Sequence, residues 1–86
     1  MVKTPALLQN SHMSAIAVKF GRVIREVRER RGLSQESLAD LAGLSRSFLG
    51  EIERGEATPS IETLQKLADA FSERPSYLIA LYEQND

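Results

Sequence analysis

Glycine and serine divide this sequence into short segments. Three glycines follow runs with apolar residues at helical spacing, where glycine commonly ends a helix; they are Gly32, Gly43 and Gly55. Three serines stand where a helix N-cap is expected, at Ser34, Ser45 and Ser60. No run alternates β-branched and polar residues as a strand would. The spacing therefore predicts a series of short helices with brief connections.

Five helices are predicted, in one all-α domain over residues 13–86. The first is amphipathic, because Phe20, Ile24 and Val27 recur on one face. Ile61 opens the apolar positions of the fourth, and Pro75 suits the first turn of the fifth, where its missing N–H would have no partner anyway. The predicted ranges are about Ala17–Arg31, Gln35–Ala42, Arg46–Arg54 and Ile61–Phe71, with the fifth helix starting at Pro75.

Residues 1–12 are set apart from this domain. The run from Asn10 to Met13 looks like a cloning scar ahead of a natural start at Met13. The segment carries one lysine and no long apolar core, so it makes a poor secretory signal. We expect a vector leader or a flexible N-terminal extension.

The residue types present argue against several functional classes. The chain has no cysteine, which excludes disulfides and thiolate metal sites and suits a reducing cytoplasm, where we expect it to act. Its one histidine, His12, lies in the suspected leader, and no nucleophile–base pair or metal-ligand spacing emerges. No apolar run approaches the roughly 18 residues of a membrane span. We expect neither an enzyme nor a cofactor, a bound metal or a membrane partner.

Charge is distributed unevenly along the chain. The net charge is −1, yet Lys19 to Arg31 holds six bases and only two acids. From Glu36 onward the acids outnumber the bases ten to four. A basic run of this kind is either a solvated helix face or a surface for nucleic acid, and composition does not choose between them.

The segment Gln35–Arg54 has the outline of a helix-turn-helix. Two short helices flank a turn that contains Gly43, and Ala39 is small where the helices must cross closely. Five apolar residues hold the pair together and dock it on the core: Leu38, Ala42, Leu44, Leu49 and Ile52. The spacing by itself still permits a purely structural helix pair.

Several segments agree in order and spacing with one known family. They are Gly32-Leu33-Ser34-Gln35-Glu36, Leu38-Ala39, Ala42-Gly43-Leu44-Ser45, Ile52-Glu53-Arg54-Gly55 and Thr58-Pro59-Ser60. This pattern closely resembles the Cro and phage-repressor type of helix-turn-helix domain, also called the xenobiotic-response-element family, over about Phe20 to Leu78. The resemblance implies a five-helix lambda-repressor-like domain that binds double-stranded DNA as a transcription regulator.

By that resemblance, the helix from Arg46 to Arg54 reads DNA in the major groove. The matching base-reading positions are Arg46, Ser47, Gly50 and Glu51. Arg46 suits a bidentate contact with guanine, and Glu51 could accept from a cytosine amino group, although phosphates repel a carboxylate. Gly50 has three open explanations, which are close approach of the helix backbone to DNA, close packing against another helix, and simple tolerance of a glycine.

The resemblance also implies contacts with the phosphate backbone. Gln35 matches a phosphate clamp at a helix N-terminus, and Ser45 combines capping with a phosphate contact. The side chain of Arg54 and the amide of Gly55 lie where family members meet the backbone. Weaker candidates of this kind are Arg22 and Arg25. Glu56 departs from the family, because a basic residue is common there.

Two positions are expected to be structural. Arg28 and Glu53 match an ion pair between the first and third helices, which would fix the recognition helix on its scaffold. Phe48 is expected to pack against the neighbouring loop, with a thymine methyl as its other possible partner.

The fifth helix is the candidate for a homodimer interface. Leu78 and Leu81 are expected to close the core, leaving Tyr77, Ile79 and Tyr82 near the surface. A two-fold pair would present two recognition helices to a pseudo-palindromic operator. A monomer with scattered aromatics stays open as an alternative, as does a protein–protein adaptor or antitoxin-type module. No sensor domain fits this length, so we expect no small-molecule ligand.

Overall fold

The computed structural model describes residues 14–85, which form five helices and contain no strand. The helices are α1 (Ala15–Arg30), α2 (Gln35–Ala42), α3 (Arg46–Glu53), α4 (Ile61–Ala70) and α5 (Pro75–Gln84). The all-α prediction is therefore confirmed, and every predicted helix boundary lies within two residues of the observed one. The expectation about residues 1–12 concerns a segment outside the described residues.

Serine begins four of the five helices. Each hydroxyl accepts a hydrogen bond from the backbone N–H three residues later; the capping serines are Ser14, Ser34, Ser45 and Ser60. At α5, Arg74 provides no side-chain cap and Pro75 occupies the first turn. Gly43 ends α2 with a φ of 69°, a conformation that glycine adopts without a Cβ penalty. The turn between α2 and α3 is thus set by local sequence.

All five helices contribute to the core. Its fully buried side chains include Ile24, Leu38, Leu49, Ile52, Leu67 and Leu78. The inward residues predicted for α2 and α3 are buried, whereas Ile61 is 81% exposed. Ile61 is the first residue of α4 and lies at its N-terminal end. Ile61 thus belongs to the apolar pattern of α4 but not to the core.

The crossing of α1 and α3 depends on Gly21. A methyl group at this position would overlap the carbonyl oxygen of Ile52 and lie 2.9 Å from that of Glu53. Both oxygens belong to backbone, which cannot rotate away as a flexible side chain can. The small residue therefore fixes how closely the third helix can lie on the first.

Arg31 ties the end of α1 to the connection between α4 and α5. Its Nη1 donates to the carbonyl of Phe71 at 2.7 Å, and its guanidinium lies 5.6 Å from the centre of that ring. Its Nη2 donates to the carboxylate of Glu73 at 3.0 Å. Ser72, between these partners, has a φ of 57°, which is uncommon outside glycine. These contacts span about 40 residues of sequence and hold the path into the last helix.

Candidate nucleic-acid interface

Helix α3 has one buried and one exposed face. Leu49 and Ile52 are fully buried, while Arg46, Ser47 and Glu51 are exposed. The first turn is ordered by its own cap, since the hydroxyl of Ser45 accepts from the N–H of Phe48 at 3.1 Å. Three of the four predicted base-reading residues therefore share the outward side of this helix. Phe48 itself is partly buried against the core.

Gly50, the fourth predicted reader, lies beneath the side chain of Arg54. A Cβ at Gly50 would be 2.9 Å from Nη1 of Arg54, and no other helix comes within 4 Å of that point. Close packing against another helix, one of the explanations considered for this glycine, is therefore not what the structure shows. The glycine instead leaves space for the guanidinium to lie along the helix surface.

The guanidinium of Arg54 is paired with Glu56. Nε and Nη2 each donate to a different carboxylate oxygen at 3.1 Å, which is a bidentate geometry. Both side chains are about half exposed. The hydrogen bond from Arg54 lowers the pKa of the Glu56 carboxyl, and the same bond raises the pKa of the arginine.

Gly55 makes its contacts inside the fold and not at the surface. Its N–H donates to the carbonyl of Ile52 at 3.0 Å, and the residue is buried. Its φ is 77°, and a Cβ there would lie 2.8 Å from Cα of Val18 on α1. Because its amide is already used inside the chain, Gly55 drops out of the predicted phosphate contacts.

A buried ion pair anchors the end of α3 to α1. Arg28 donates from Nε to Glu53 at 2.7 Å and from Nη2 to its other oxygen at 3.0 Å, while Nη1 donates to the carbonyl of Leu33 at 2.9 Å. The Glu53 side chain is only 2% exposed. The hydrogen bond that Arg28 donates to Glu53 raises the pKa of Arg28. The two residues that the resemblance paired are thus in contact.

Gln35 joins the same cluster. Its amide nitrogen donates to Oε1 of Glu53 at 2.9 Å, which links the N-terminus of α2 to the C-terminus of α3. Sequence reasoning named this residue only as a phosphate clamp and missed this contact. An amide nitrogen carries two N–H groups, so one bond inside the fold is compatible with a second to another acceptor.

The two arginines named on α1 lie in different surroundings. Arg22 donates to Oδ1 of Asn85 at 2.9 Å, beyond the end of α5, and so faces the last helix rather than the third. Arg25 forms an exposed pair with Glu29 at 3.4 Å. The structure does not bring Arg22 to the outward face of α3.

Comparison with known proteins identifies the family. The model of the helix-turn-helix family HTH_3 matches residues 24–78, which include the whole α2–α3 pair. The chain belongs to this family. The predicted family membership is confirmed.

Named relatives of this helix-turn-helix domain are regulators. The transcriptional regulator PuuR of Escherichia coli is 41% identical over 69% of this chain and 32% of its own length, and the immunity repressor of Bacillus phage phi105 is 41% identical over 69% and 41%. The chain thus spans about a third of the length of the former relative. The crystal structure of the restriction–modification controller C.AhdI from Aeromonas hydrophila has a TM-score of 0.72 and 48% identity, covering 74% of this chain and 97% of that one.

An apolar cleft lies outside the helix-turn-helix. It has a volume of about 230 Å³ and is formed by α1, the loop before α4, α4 and α5. Its lining includes Ile16, Phe20, Ile61, Leu64, Ile79 and Tyr82. Tyr77, the third residue predicted for a dimer interface, is not part of it and lies beside Arg31 instead. Sequence reasoning therefore identified only the part of this surface that α5 contributes.

Two specific features are absent from residues 14–85. No helix in this range has the length and apolar character to cross a membrane. The same range holds no cluster of three or more histidine, aspartate or glutamate side chains placed to bind a metal ion.

Proposed function

We propose that this chain is a sequence-specific DNA-binding transcriptional regulator that reads the major groove through the outward face of α3. The carrying observation is that Arg46 and Ser47 stand exposed in the first turn of a helix whose other end is fixed by the buried pair of Arg28 and Glu53. A rigid helix with free polar side chains at its N-terminus suits readout of base edges. Relatives named as regulators and repressors support the proposal.

Within this proposal the roles divide between bases and phosphates. Arg46 would make the bidentate contact with guanine, worth about 1–3 kcal/mol of discrimination, with Ser47 and Glu51 beside it. Gln35, Ser45 and Arg54 would contact phosphates and set the register without reading sequence. Exposed Arg25 stays a weaker candidate for the same role. Gly55 serves backbone geometry through its positive φ, and Gly50 leaves room for the guanidinium of Arg54. Arg22 bonds to Asn85 beyond the end of α5.

We also propose that the protein acts as a homodimer through the apolar cleft. Three of the four large hydrophobic residues exposed in residues 14–85 surround it, namely Ile16, Ile61 and Ile79. A contiguous apolar patch of this kind marks an interaction surface, and a two-fold pair uses the same patch twice. With a net charge of −1, one motif alone gains little from long-range attraction to DNA.

The direct experiment measures DNA binding at two salt concentrations. The purified protein is titrated against duplexes from the region upstream of its own gene and against scrambled duplexes of equal length. We expect binding to the upstream duplex only, weakening steeply as salt rises because phosphate contacts release counterions. Equal binding to both duplexes would contradict sequence-specific reading. Absence of binding to any duplex, together with capture of a protein partner, would favour the adaptor alternative.

A further inference from the structure

Glu56, two residues after the helix-turn-helix, is acidic at a position where a basic residue is common in the family. Glu56 places a carboxylate next to Arg54, the residue that the proposed function assigns to phosphate. The contact is bidentate, so the carboxylate presents the same two-oxygen geometry that a phosphate group would offer. The carboxylate therefore occupies one two-donor edge of the guanidinium, which is an edge that could otherwise make a bidentate contact with a DNA phosphate.

The position of the guanidinium supports the same interpretation. It lies over Gly50, whose missing side chain leaves room for Nη1 to approach the helix surface. Arg54 thereby lies along α3, while its side chain stays 58% exposed. A half-exposed ion pair of this kind contributes little to folding stability. Folding stability is therefore a weak explanation for the presence of Glu56 beside Arg54.

We propose that Glu56 is a specificity-determining residue that competes with DNA phosphate for the guanidinium of Arg54. This inference rests on the proposed function. A phosphate contact made by Arg54 replaces an existing ion pair instead of adding a new one, so the residue gives little affinity for arbitrary DNA. Base contacts from Arg46 and Ser47 are unaffected, because neither residue touches the pair. The ratio of specific to non-specific affinity rises as a result.

The test compares Glu56→Gln with a matched control, Glu73→Gln. Glu73 also pairs with an arginine, Arg31, at 3.0 Å and similar partial exposure, but it lies at the junction of α4 and α5. Both variants change the net charge by the same amount. The probe is a random-sequence duplex of about 20 base pairs. Its binding is measured by fluorescence anisotropy at several salt concentrations.

For Glu56→Gln we expect non-specific affinity to rise about fivefold per protomer at physiological salt. The slope of log K against log salt should steepen by about 0.9 per protomer, the value for one added phosphate contact. Glu73→Gln should change neither quantity appreciably. Identical behaviour of the two variants would overturn the proposal.

A double-mutant comparison separates competition from simple charge repulsion. In an Arg54→Ala background, Glu56→Gln should have little effect on the salt slope, because no guanidinium is left to release. If the full effect persists without the arginine, the carboxylate acts only by repelling phosphates and the proposal is overturned. Failure of every variant and of the wild type to bind any duplex would overturn the proposed function as well. Binding without a difference at position 56 would overturn this inference alone.

Discussion

At the residue scale, the most constrained side chain is the carboxylate of Glu53. It is the one charged residue that is buried within residues 14–85, and it receives hydrogen bonds from Arg28 on α1 and Gln35 on α2. The family pattern predicted the pairing of Arg28 with Glu53 from their positions in the sequence. The amide contact depends on a side-chain rotamer, which residue spacing does not specify.

Removal of this carboxylate should be costly. Glu53→Ala is expected to lower the free energy of unfolding by about 3–5 kcal/mol, since the guanidinium of Arg28, whose side chain is only 12% exposed, would be left without its charge partner. Glu51→Ala, two residues earlier on the exposed face, should change it by no more than about 0.5 kcal/mol. Urea denaturation of both variants provides the measurement. Equal stability of the two proteins would show that the buried pair does not anchor α3.

The ion pair after α3 makes a prediction about pH. The pKa of Glu56 is lowered below its ordinary 4.5 by the hydrogen bond from Arg54. A carboxyl with a lowered pKa stabilises the fold at pH values above its unfolded pKa, and that contribution is lost as the pH falls through its folded pKa. An NMR titration of the Glu56 carboxyl should give a midpoint below 4.5, and Arg54→Ala should move it upward. A midpoint insensitive to this substitution would show that the pair does not persist in solution.

At the element scale, local sequence accounts for where the helices lie but not for how they meet. The boundaries follow from serine caps and from the glycine that ends α2, and these act within a few residues. The contact of α1 with α3 at Gly21 and the contacts of Arg31 with Phe71 and Glu73 arise only when distant segments come together. The sequence did hold a signal for the contact at Gly21. A glycine in the middle of a helix lowers helix stability by about 1 kcal/mol relative to alanine, so its presence there requires a structural explanation.

The two glycines inside helices should respond oppositely to alanine. Gly21→Ala is expected to lower the free energy of unfolding by about 1–3 kcal/mol, because the added methyl group meets rigid backbone of α3. Gly50→Ala should be neutral or stabilising by up to about 1 kcal/mol, because the methyl group meets only the movable end of Arg54. Denaturation of both variants by urea checks the signs. A stabilised Gly21→Ala protein would contradict the close crossing of α1 and α3.

At the scale of the whole molecule, the apolar cleft shows what sequence reasoning could not supply. Ile79 and Tyr82 lie on the same side of α5 and were predicted together, whereas Tyr77 was grouped with them although it faces Arg31. Ile16 and Ile61 are 45 residues apart in sequence and meet only in the folded chain. Helical periodicity describes one helix at a time, so it does not predict a surface that several helices form together.

The homodimer proposal can be tested on this surface. Ile61→Glu should convert the protein to a monomer at micromolar concentrations, because it places a charge at the rim of the apolar patch. Leu41→Glu is the matched control, since Leu41 is 61% exposed but lies on α2, away from the cleft. Both positions are exposed, so the fold should survive either change. Sedimentation velocity that shows a wild-type monomer, or a dimer equally weakened by both variants, would contradict the proposed interface.

The most direct measurement of the central proposal is selection of bound duplexes from a random library by the wild type, Arg46→Ala and Lys66→Ala. Lys66 on α4 is an exposed base, so its removal controls for loss of one positive charge. We predict that the wild type and Lys66→Ala enrich the same two-fold symmetric site, with half-sites about 34 Å apart and a guanine that Arg46→Ala no longer selects. Enrichment of no sequence, or retention of that guanine without Arg46, would contradict the account.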